Sequence, residues 1–202
     1  MKRVWCVGLF SLAILLATLA LAACGTTGAD YIQRGDEFFQ ASMEYEQAGD
    51  REKAQEELGK ATAEYEKAIA EYEKALQKDP DNIDILTDLG TAYYKAFRLD
   101  QAIDQYQKAL ELAPADASIH SNLAAAYVQK QQFSQALEEY QQAVELEPNL
   151  AEAHFGMGVV YVLLGENDQA IAAFVRFQEL DTGRDRVATE QAVEYLRQLR
   201  GE

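Results

Sequence analysis

The chain has 202 residues, of which 49% are hydrophobic, and 34 acidic against 18 basic residues give it a formal net charge of −16 at pH 7. This balance excludes nucleic acid as a partner, because affinity for nucleic acid comes largely from Lys and Arg that neutralise phosphates. It also excludes electrostatic attachment to anionic lipid heads, which requires a polybasic segment.

Residues 1–23 predict a secretory signal peptide. A short basic start precedes an uninterrupted apolar run that ends in small residues. The sequence LAAC at 21–24 resembles the lipobox of bacterial lipoproteins. The resemblance implies that Cys24 is acylated, with palmitate among the acyl chains, and becomes the new N-terminus. The alternative is an uncleaved N-terminal anchor, because the apolar run is long enough to span a bilayer.

Lipidation at Cys24 would determine where the protein resides. Cys6 leaves with the signal peptide and Cys24 is acylated, so no disulfide is available and the fold must hold by packing alone. Residues 24–29 then form a short polar tether, which lets the fold stray only about 20 Å from the bilayer. We expect membrane attachment through the acyl chains on the extracytoplasmic side, which is the periplasm or the cell surface.

The segment 30–82 predicts one lengthened helical hairpin. Apolar or small residues recur there with alternating spacings of three and four residues, the heptad pattern of paired helices. In the first arm they are Tyr31, Gly35, Phe38, Ser42 and Tyr45, and in the second arm they are Ala54, Leu58, Ala61, Tyr65, Ala68, Tyr72 and Ala75. Gly49 and Asp50 between the arms favour a turn. The alternative is that two chains pair along the same seams.

Three segments of 34 residues follow without a gap, at 83–116, 117–150 and 151–184. A small residue, an aromatic residue and an alanine recur in each segment at the same position. They are Gly90, Ala124 and Gly158; Tyr93, Tyr127 and Tyr161; and Ala102, Ala136 and Ala170. Small residues beside aromatic ones allow two helices to approach to packing distance. Pro114 and Pro148 predict the end of the second helix of their units.

The period and these positions resemble the tetratricopeptide repeat over about 100 residues. The resemblance implies an all-α fold, a solenoid of helical hairpins with the lengthened hairpin at its N-terminal end. With Gly35 aligned to Gly90, the lengthened hairpin would protrude by roughly ten residues, or about 15 Å. Residues 185–202 predict the capping helix that such arrays require. The residues expected to cover the last unit are Ala188, Ala192, Tyr195 and Leu199.

In this family the first helices of successive units line a concave groove, and the resemblance implies which positions face it. They are Asp84, Thr87, Thr91 and Tyr94, then Ser118, Ser121, Ala125 and Val128, then Glu152, Phe155, Val159 and Val162. Relatives that capture a C-terminal carboxylate have Lys and Asn at positions that hold Thr, Ser or Ala here, so this clamp is missing. Phe155, Val159 and Val162 form an apolar patch that would anchor a partner helix or extended segment, unless the C-terminal helix or the long hairpin covers it.

Nothing in the sequence points to catalysis, a cofactor or a metal site. His120 and His154, the only histidines, lie at equivalent positions of two units with no Cys or carboxylate clustered at ligand spacing, so we expect both to be structural. The glycines do not form a phosphate-binding loop. The chain is therefore not expected to be an enzyme.

The leading functional hypothesis is a lipid-anchored scaffold or adaptor outside the cytoplasm that binds a protein or peptide partner in the groove. The alternative is a structural protein whose hairpin seams and apolar patch make homo-oligomer contacts. A third hypothesis, carriage of a small apolar ligand, requires that the patch be open.

Overall fold

The computed structural model describes residues 26–181, 183 and 186–201, and every regular element in these residues is an α-helix. The helices are α1 (Gly28–Gln47), α2 (Arg51–Leu76), α3 (Ile83–Lys95), α4 (Leu99–Leu112), α5 (Ala117–Gln129), α6 (Phe133–Leu146), α7 (Ala151–Leu164), α8 (Asn167–Leu180) and α9 (Arg186–Arg200). None of these helices is both long and apolar enough to cross a bilayer. The predicted signal peptide and Cys24 lie outside the described residues.

Polar side chains determine where α1, α3 and α5 begin. The Thr27 hydroxyl accepts a hydrogen bond from the Asp30 amide at 3.2 Å, and the Asp30 carboxylate accepts one from the Thr27 amide at 2.8 Å. This reciprocal pair satisfies two amides that the first turn of α1 leaves unpaired. Asn82 and Asp116 cap α3 and α5 through side-chain oxygens that accept from first-turn amides.

The turns inside the three regular units share one backbone conformation. Phe97, Gln131 and Gly165 occupy equivalent positions and have φ angles of 58°, 59° and 75°. Glycine adopts this left-handed conformation freely, whereas other L-residues do so at a cost of about 1–2 kcal/mol. Phe97 and Gln131 are therefore held in a strained conformation, and the Phe97 side chain is also 61% exposed.

In the first and third regular units, a glycine of the first helix faces an aromatic ring of the second helix. A Cβ atom at Gly90 would lie 2.6 Å from Tyr106 Cε1, and one at Gly158 would lie 2.7 Å from Phe174 Cε1. Both rings are buried. One continuous apolar core runs from α2 to α7, as stacked hairpins require. The predicted solenoid of helical hairpins is confirmed.

The lengthened first hairpin is present, but its register differs from the prediction. Gly28, rather than Gly35, faces Tyr72, the equivalent of Tyr106: a Cβ atom at Gly28 would lie 2.5 Å from Tyr72 Cζ. Helix α1 extends 19 residues beyond Gly28, whereas α3 extends five beyond Gly90. The expected protrusion of roughly ten residues is therefore wrong, and the excess of 14 residues corresponds to about 21 Å of helix.

Gly35 instead faces the ring of Tyr65, one heptad nearer the tip of the hairpin. A Cβ atom there would lie 2.3 Å from Tyr65 Cε1. The two arms pack against each other within one chain, and the turn between them lies at residues 48–50. The first hairpin thus repeats the contact between glycine and aromatic ring along its length.

The C-terminal helix α9 closes the solenoid with a second apolar cluster. Ala192 and Leu196 are buried against α8. The Tyr195 ring stacks on the Phe174 ring with centroids 5.0 Å apart and planes 7° apart. The predicted cover residues that pack half-buried on this cluster are Ala188, Tyr195 and Leu199. This helix is the capping element that the sequence predicts. Leu196, which was not among the predicted cover residues, is also buried in the cluster.

Candidate functional site

The first helices of the three regular units form one side of the solenoid, where α3 contacts α5 and α5 contacts α7. The nine residues predicted to bind a partner are all half-buried. They are Thr87, Thr91, Tyr94, Ser121, Ala125, Val128, Phe155, Val159 and Val162. Asp84, Ser118 and Glu152, which the same pattern places on this side, are exposed. We refer to this side as the groove.

The threonines of the groove offer fewer free donors than their residue type implies. The Thr87 hydroxyl donates to the Ile83 carbonyl at 2.9 Å, and the Thr91 hydroxyl donates to the Thr87 carbonyl at 3.0 Å. Thr91 Oγ1 also lies 3.1 Å from the Tyr106 hydroxyl, which must donate because the Thr91 proton is already engaged. Both hydroxyl protons are therefore engaged within their own helix and are not free to bind a partner.

A crevice between α1 and α3 holds two adjoining pockets at the first-hairpin end of the groove; we call it the α1–α3 crevice. The first pocket has a volume of about 280 Å³ and lies among Ile32, Gln33, Asp36, Tyr72, Asp88 and Thr91. The second has a volume of about 230 Å³ and lies among Asp36, Phe39, Tyr65, Tyr94, Lys95 and Phe97. Asp36 lines both pockets, so the two adjoin at this residue.

The two carboxylates of this crevice differ in how they are neutralised. Asp36 Oδ1 accepts from Lys95 Nζ at 2.7 Å and from the Tyr65 hydroxyl at 2.8 Å. Asp88 is an exposed residue that lies beside Tyr72 in the first pocket. Partial desolvation raises the pKa of the Asp88 carboxyl, the Tyr72 hydroxyl lowers that pKa, and the nearby Asp84 raises it. Asp88 is thus the carboxylate of the crevice whose charge no cation balances among the described residues.

The C-terminal end of the groove is apolar and partly covered. The Phe155 ring packs on Phe174 and Phe177 of α8 with centroids 5.7 and 5.2 Å apart. Phe155, Val159 and Val162 belong to the cluster that contains the buried residues of α9. Phe155 also borders an open pocket of about 560 Å³ between α7, α8 and α9. The predicted patch is therefore mostly packing surface, with one opening at Phe155.

Comparison with known proteins identifies the repeat. The profile described as "TPR repeat" matches residues 61–96, 98–131 and 126–165, and the profile described as "Tetratricopeptide repeat" matches residues 151–183. The first of these alone spans more than half of the chain. The chain belongs to the tetratricopeptide repeat family. No curated protein matches it.

Solved tetratricopeptide structures resemble the chain over most of their own length. A crystal structure of MamA is 25% identical with a TM-score of 0.56, and the match covers 79% of this chain and 92% of that one. The first TPR of Spaghetti (RPAP3), bound to the HSP90 peptide SRMEEVD, is 25% identical with a TM-score of 0.54, covering 59% and 90%. The TPR domain of OM64 from Arabidopsis, 23% identical with a TM-score of 0.51, covers 56% and 95% and shares the fold.

Both histidines hold the loops between tetratricopeptide units. His120 Nε2 lies 3.1 Å from the Pro114 carbonyl, and His154 Nε2 lies 3.1 Å from the Pro148 carbonyl. A carbonyl only accepts, so each Nε2 carries a proton and donates. His120 Nδ1 also lies 2.7 Å from Glu139 Oε2. In the described ranges, no group of three or more His, Cys, Asp or Glu side chains could hold a metal ion.

The α1–α3 crevice is the part of the site that sequence reasoning missed. The residues concerned are Asp36 and Phe39 of α1 and Phe97 in the turn after α3. The family pattern assigns groove positions only to regular units, and α1 is not part of one. The available signal was the position of Phe97, because Gly165 occupies the equivalent position two units later.

Proposed function

We propose that this chain is a scaffold or adaptor, anchored by lipid outside the cytoplasm, that binds a protein or peptide partner in the groove of its tetratricopeptide units. The observation that carries the proposal is the groove itself, in which half-buried side chains of successive first helices adjoin the two open pockets of the α1–α3 crevice. A repeat array of this kind offers an extended binding surface. The proposal includes no catalytic step and no cofactor.

A solved relative supports the peptide-binding part of the proposal. The first TPR of Spaghetti (RPAP3), at 25% identity, carries the HSP90 peptide SRMEEVD. The positions that hold Lys and Asn in carboxylate-binding relatives are Thr87, Thr91, Ser121 and Ala125 in this chain. The partner proposed here is therefore not selected through a C-terminal carboxylate.

The test of the groove is chemical crosslinking and co-purification from intact cells. Thr87→Arg with Ser121→Arg fills the groove with two long side chains, and Gln135→Arg with Gln142→Arg adds the same charge at exposed positions of α6. We expect the wild type and the α6 control to capture the same heterologous protein, and the groove variant to lose it. Equal capture by all three would refute the groove as the binding site, provided that circular dichroism shows equal helicity.

The membrane part of the proposal rests on the sequence LAAC at 21–24, which places Cys24 four residues before the first residue of α1. Its test is labelling of cells with an alkyne analogue of palmitate. The wild type should carry the label and have the mass of residues 24–202 plus acyl chains, and Cys24→Ser should carry no label. An unlabelled wild type that keeps residues 1–23 would refute lipidation and support the uncleaved anchor.

Self-association through the first hairpin is a second candidate function, and two exposed apolar side chains favour it. Met43 and Leu58 are 47% and 39% exposed in the part of the hairpin that extends beyond its neighbours. Association of two chains would remove apolar side chains of this kind from water. Light scattering of the full-length chain in a non-ionic detergent tests this candidate, using Met43→Lys with Leu58→Lys as the comparison. A monomeric wild type would count against it.

A further inference from the structure

We propose that the α1–α3 crevice binds a cationic segment of the partner protein. In this arrangement, one Lys or Arg side chain contacts Asp88, and a neighbouring bulky apolar side chain enters the pocket bordered by Phe39, Tyr94 and Phe97. The inference rests on the proposed groove function and specifies the chemistry of the partner.

The first argument is the unbalanced charge of α3. Asp84 and Asp88 are four residues apart and so lie on the same face of the helix. Neither has an ion-pair partner in the part of the chain that the structure describes, whereas Asp36 pairs with Lys95 at 2.7 Å. Like charges at this spacing destabilise a helix. A cation from a partner would relieve this repulsion, and the net charge of −16 would steer such a partner toward the chain.

The second argument is that Asp88 and an aromatic ring share one pocket. The Tyr72 ring and Asp88 both line the first pocket of the crevice. A guanidinium or ammonium group that enters the pocket meets both a carboxylate and an aromatic ring. These are the two groups that bind such cations through charge-assisted hydrogen bonds and cation–π contacts.

The third argument is independent of charge and concerns Phe97. This side chain is 61% exposed and its backbone has a φ angle of 58°, so both its exposure and its conformation are unfavourable for the isolated fold. The equivalent residue in the last unit is Gly165, which avoids both costs. Strained residues of this kind cluster at binding sites. The Phe97 ring borders the second pocket, where it can contact an apolar side chain of the partner.

The experiment selects ligands from a library of random peptides about a dozen residues long, displayed without a free C-terminus, which is enough to span the crevice. The bait is the full-length chain in a non-ionic detergent. The best peptide is then synthesised, and its dissociation constant is measured by fluorescence polarisation. The charge variant is Asp84→Asn with Asp88→Asn, and its control is Asp104→Asn, at an exposed position of α4.

The aromatic variant is Phe97→Gly, which removes the ring and also relieves the strained backbone, so weak binding cannot be attributed to misfolding. Its control is Gln131→Gly, which relieves the same strain one unit later. We expect the selected peptides to be rich in Lys or Arg. We expect the dissociation constant to rise about tenfold in the charge variant and in Phe97→Gly, and to stay unchanged in both controls.

Other outcomes overturn the inference in distinguishable ways. Selected peptides without Lys or Arg, or peptides that bind the charge variant and Phe97→Gly as well as the wild type, would refute the cationic segment. If those peptides nevertheless fail to bind the groove variant, Thr87→Arg with Ser121→Arg, the proposed groove function stands. A selection that yields no peptide, or peptides insensitive to every variant, would refute the groove function as well.

Discussion

The contact between Gly35 and Tyr65 makes a sharp prediction about the first hairpin. Gly35→Ala would place a Cβ atom 2.3 Å from Tyr65 Cε1 and 2.6 Å from Tyr65 Cδ1. Carbon atoms in contact are normally about 3.5–4.0 Å apart, so the ring must move by more than 1 Å or so. The ring is only 3% exposed, and its hydroxyl donates to Asp36 at 2.8 Å, so any movement disturbs buried contacts.

The expected magnitude follows from opposing effects. Overpacking costs about 1–3 kcal/mol, and weakening a hydrogen bond to a charged acceptor costs up to about 1.5–3 kcal/mol more. Replacing a helical glycine by alanine returns about 0.5–1 kcal/mol. We expect Gly35→Ala to lower the free energy of unfolding by about 1–3 kcal/mol.

A matched control lies in the opposite arm. Gly59 is in α2, and a Cβ atom there would meet nothing within 4 Å. Gly59→Ala should therefore raise the free energy of unfolding by about 0.5–1 kcal/mol, so the same substitution has opposite signs at the two positions.

Urea unfolding followed by far-ultraviolet circular dichroism measures both changes. In a Tyr65→Leu background, Gly35→Ala should lose most of its effect, because the ring it collides with is gone. The register of the hairpin would be refuted if Gly35→Ala were as stable as Gly59→Ala. It would also be refuted if the effect of Gly35→Ala were unchanged by removal of the Tyr65 ring.

Three further predictions concern other parts of the fold. Phe97→Gly should raise the free energy of unfolding by about 0.5–1 kcal/mol in urea titrations, because relief of the left-handed strain exceeds the entropic cost of glycine; a loss of stability would contradict this account. Leu196→Ala should destabilise the C-terminal end by about 2–4 kcal/mol, seen as faster amide exchange in α8 and α9 than in α3; uniform exchange would contradict it. Burial raises the pKa of Tyr72 and Tyr106 to about 12. The stability that these neutral phenols contribute should be complete below their unfolded pKa of about 10 and should be lost as the pH rises toward about 12. Tyrosinate absorbance should therefore appear only near the upper pH. Ionisation near pH 10 or so without unfolding would argue against their burial.

The regular units were predictable because their signal repeats. A spacing of 34 residues places Gly90 and Gly158 opposite Tyr106 and Phe174, and any shift of the alignment would lose these contacts. The register of the first hairpin was not predictable in this way. A heptad seam that slides by seven residues keeps every apolar residue in the seam, so Gly28 and Gly35 are equivalent in sequence. Only the structure shows that Gly28 is the one that faces Tyr72, the last aromatic residue of the hairpin.

The side on which Thr87 and Thr91 lie was predictable, but the engagement of their hydroxyl groups was not. The family pattern placed Thr87 and Thr91 there as polar residues, yet both hydroxyls are engaged with carbonyls of their own helix. The strain at Phe97 depends on a φ angle that the residue type does not reveal. The neutralisation of Asp36 by Lys95 joins residues 59 positions apart, which no local pattern encodes.

The late start of α1 restricts where the proposed lipoprotein can act. Helix α3 begins seven residues before Gly90, whereas α1 begins at Gly28 itself, so α1 lacks the two helical turns that precede Gly90 in α3. From Cys24 to Gly28 the chain spans at most about 14 Å. The edge of the solenoid that holds the inter-unit loops would therefore rest against the lipid head groups, and the α1–α3 crevice would open within about 30 Å of them. Such a protein would reach only partners close to the bilayer. These partners would be molecules that are attached to the same membrane or that pass immediately above its surface.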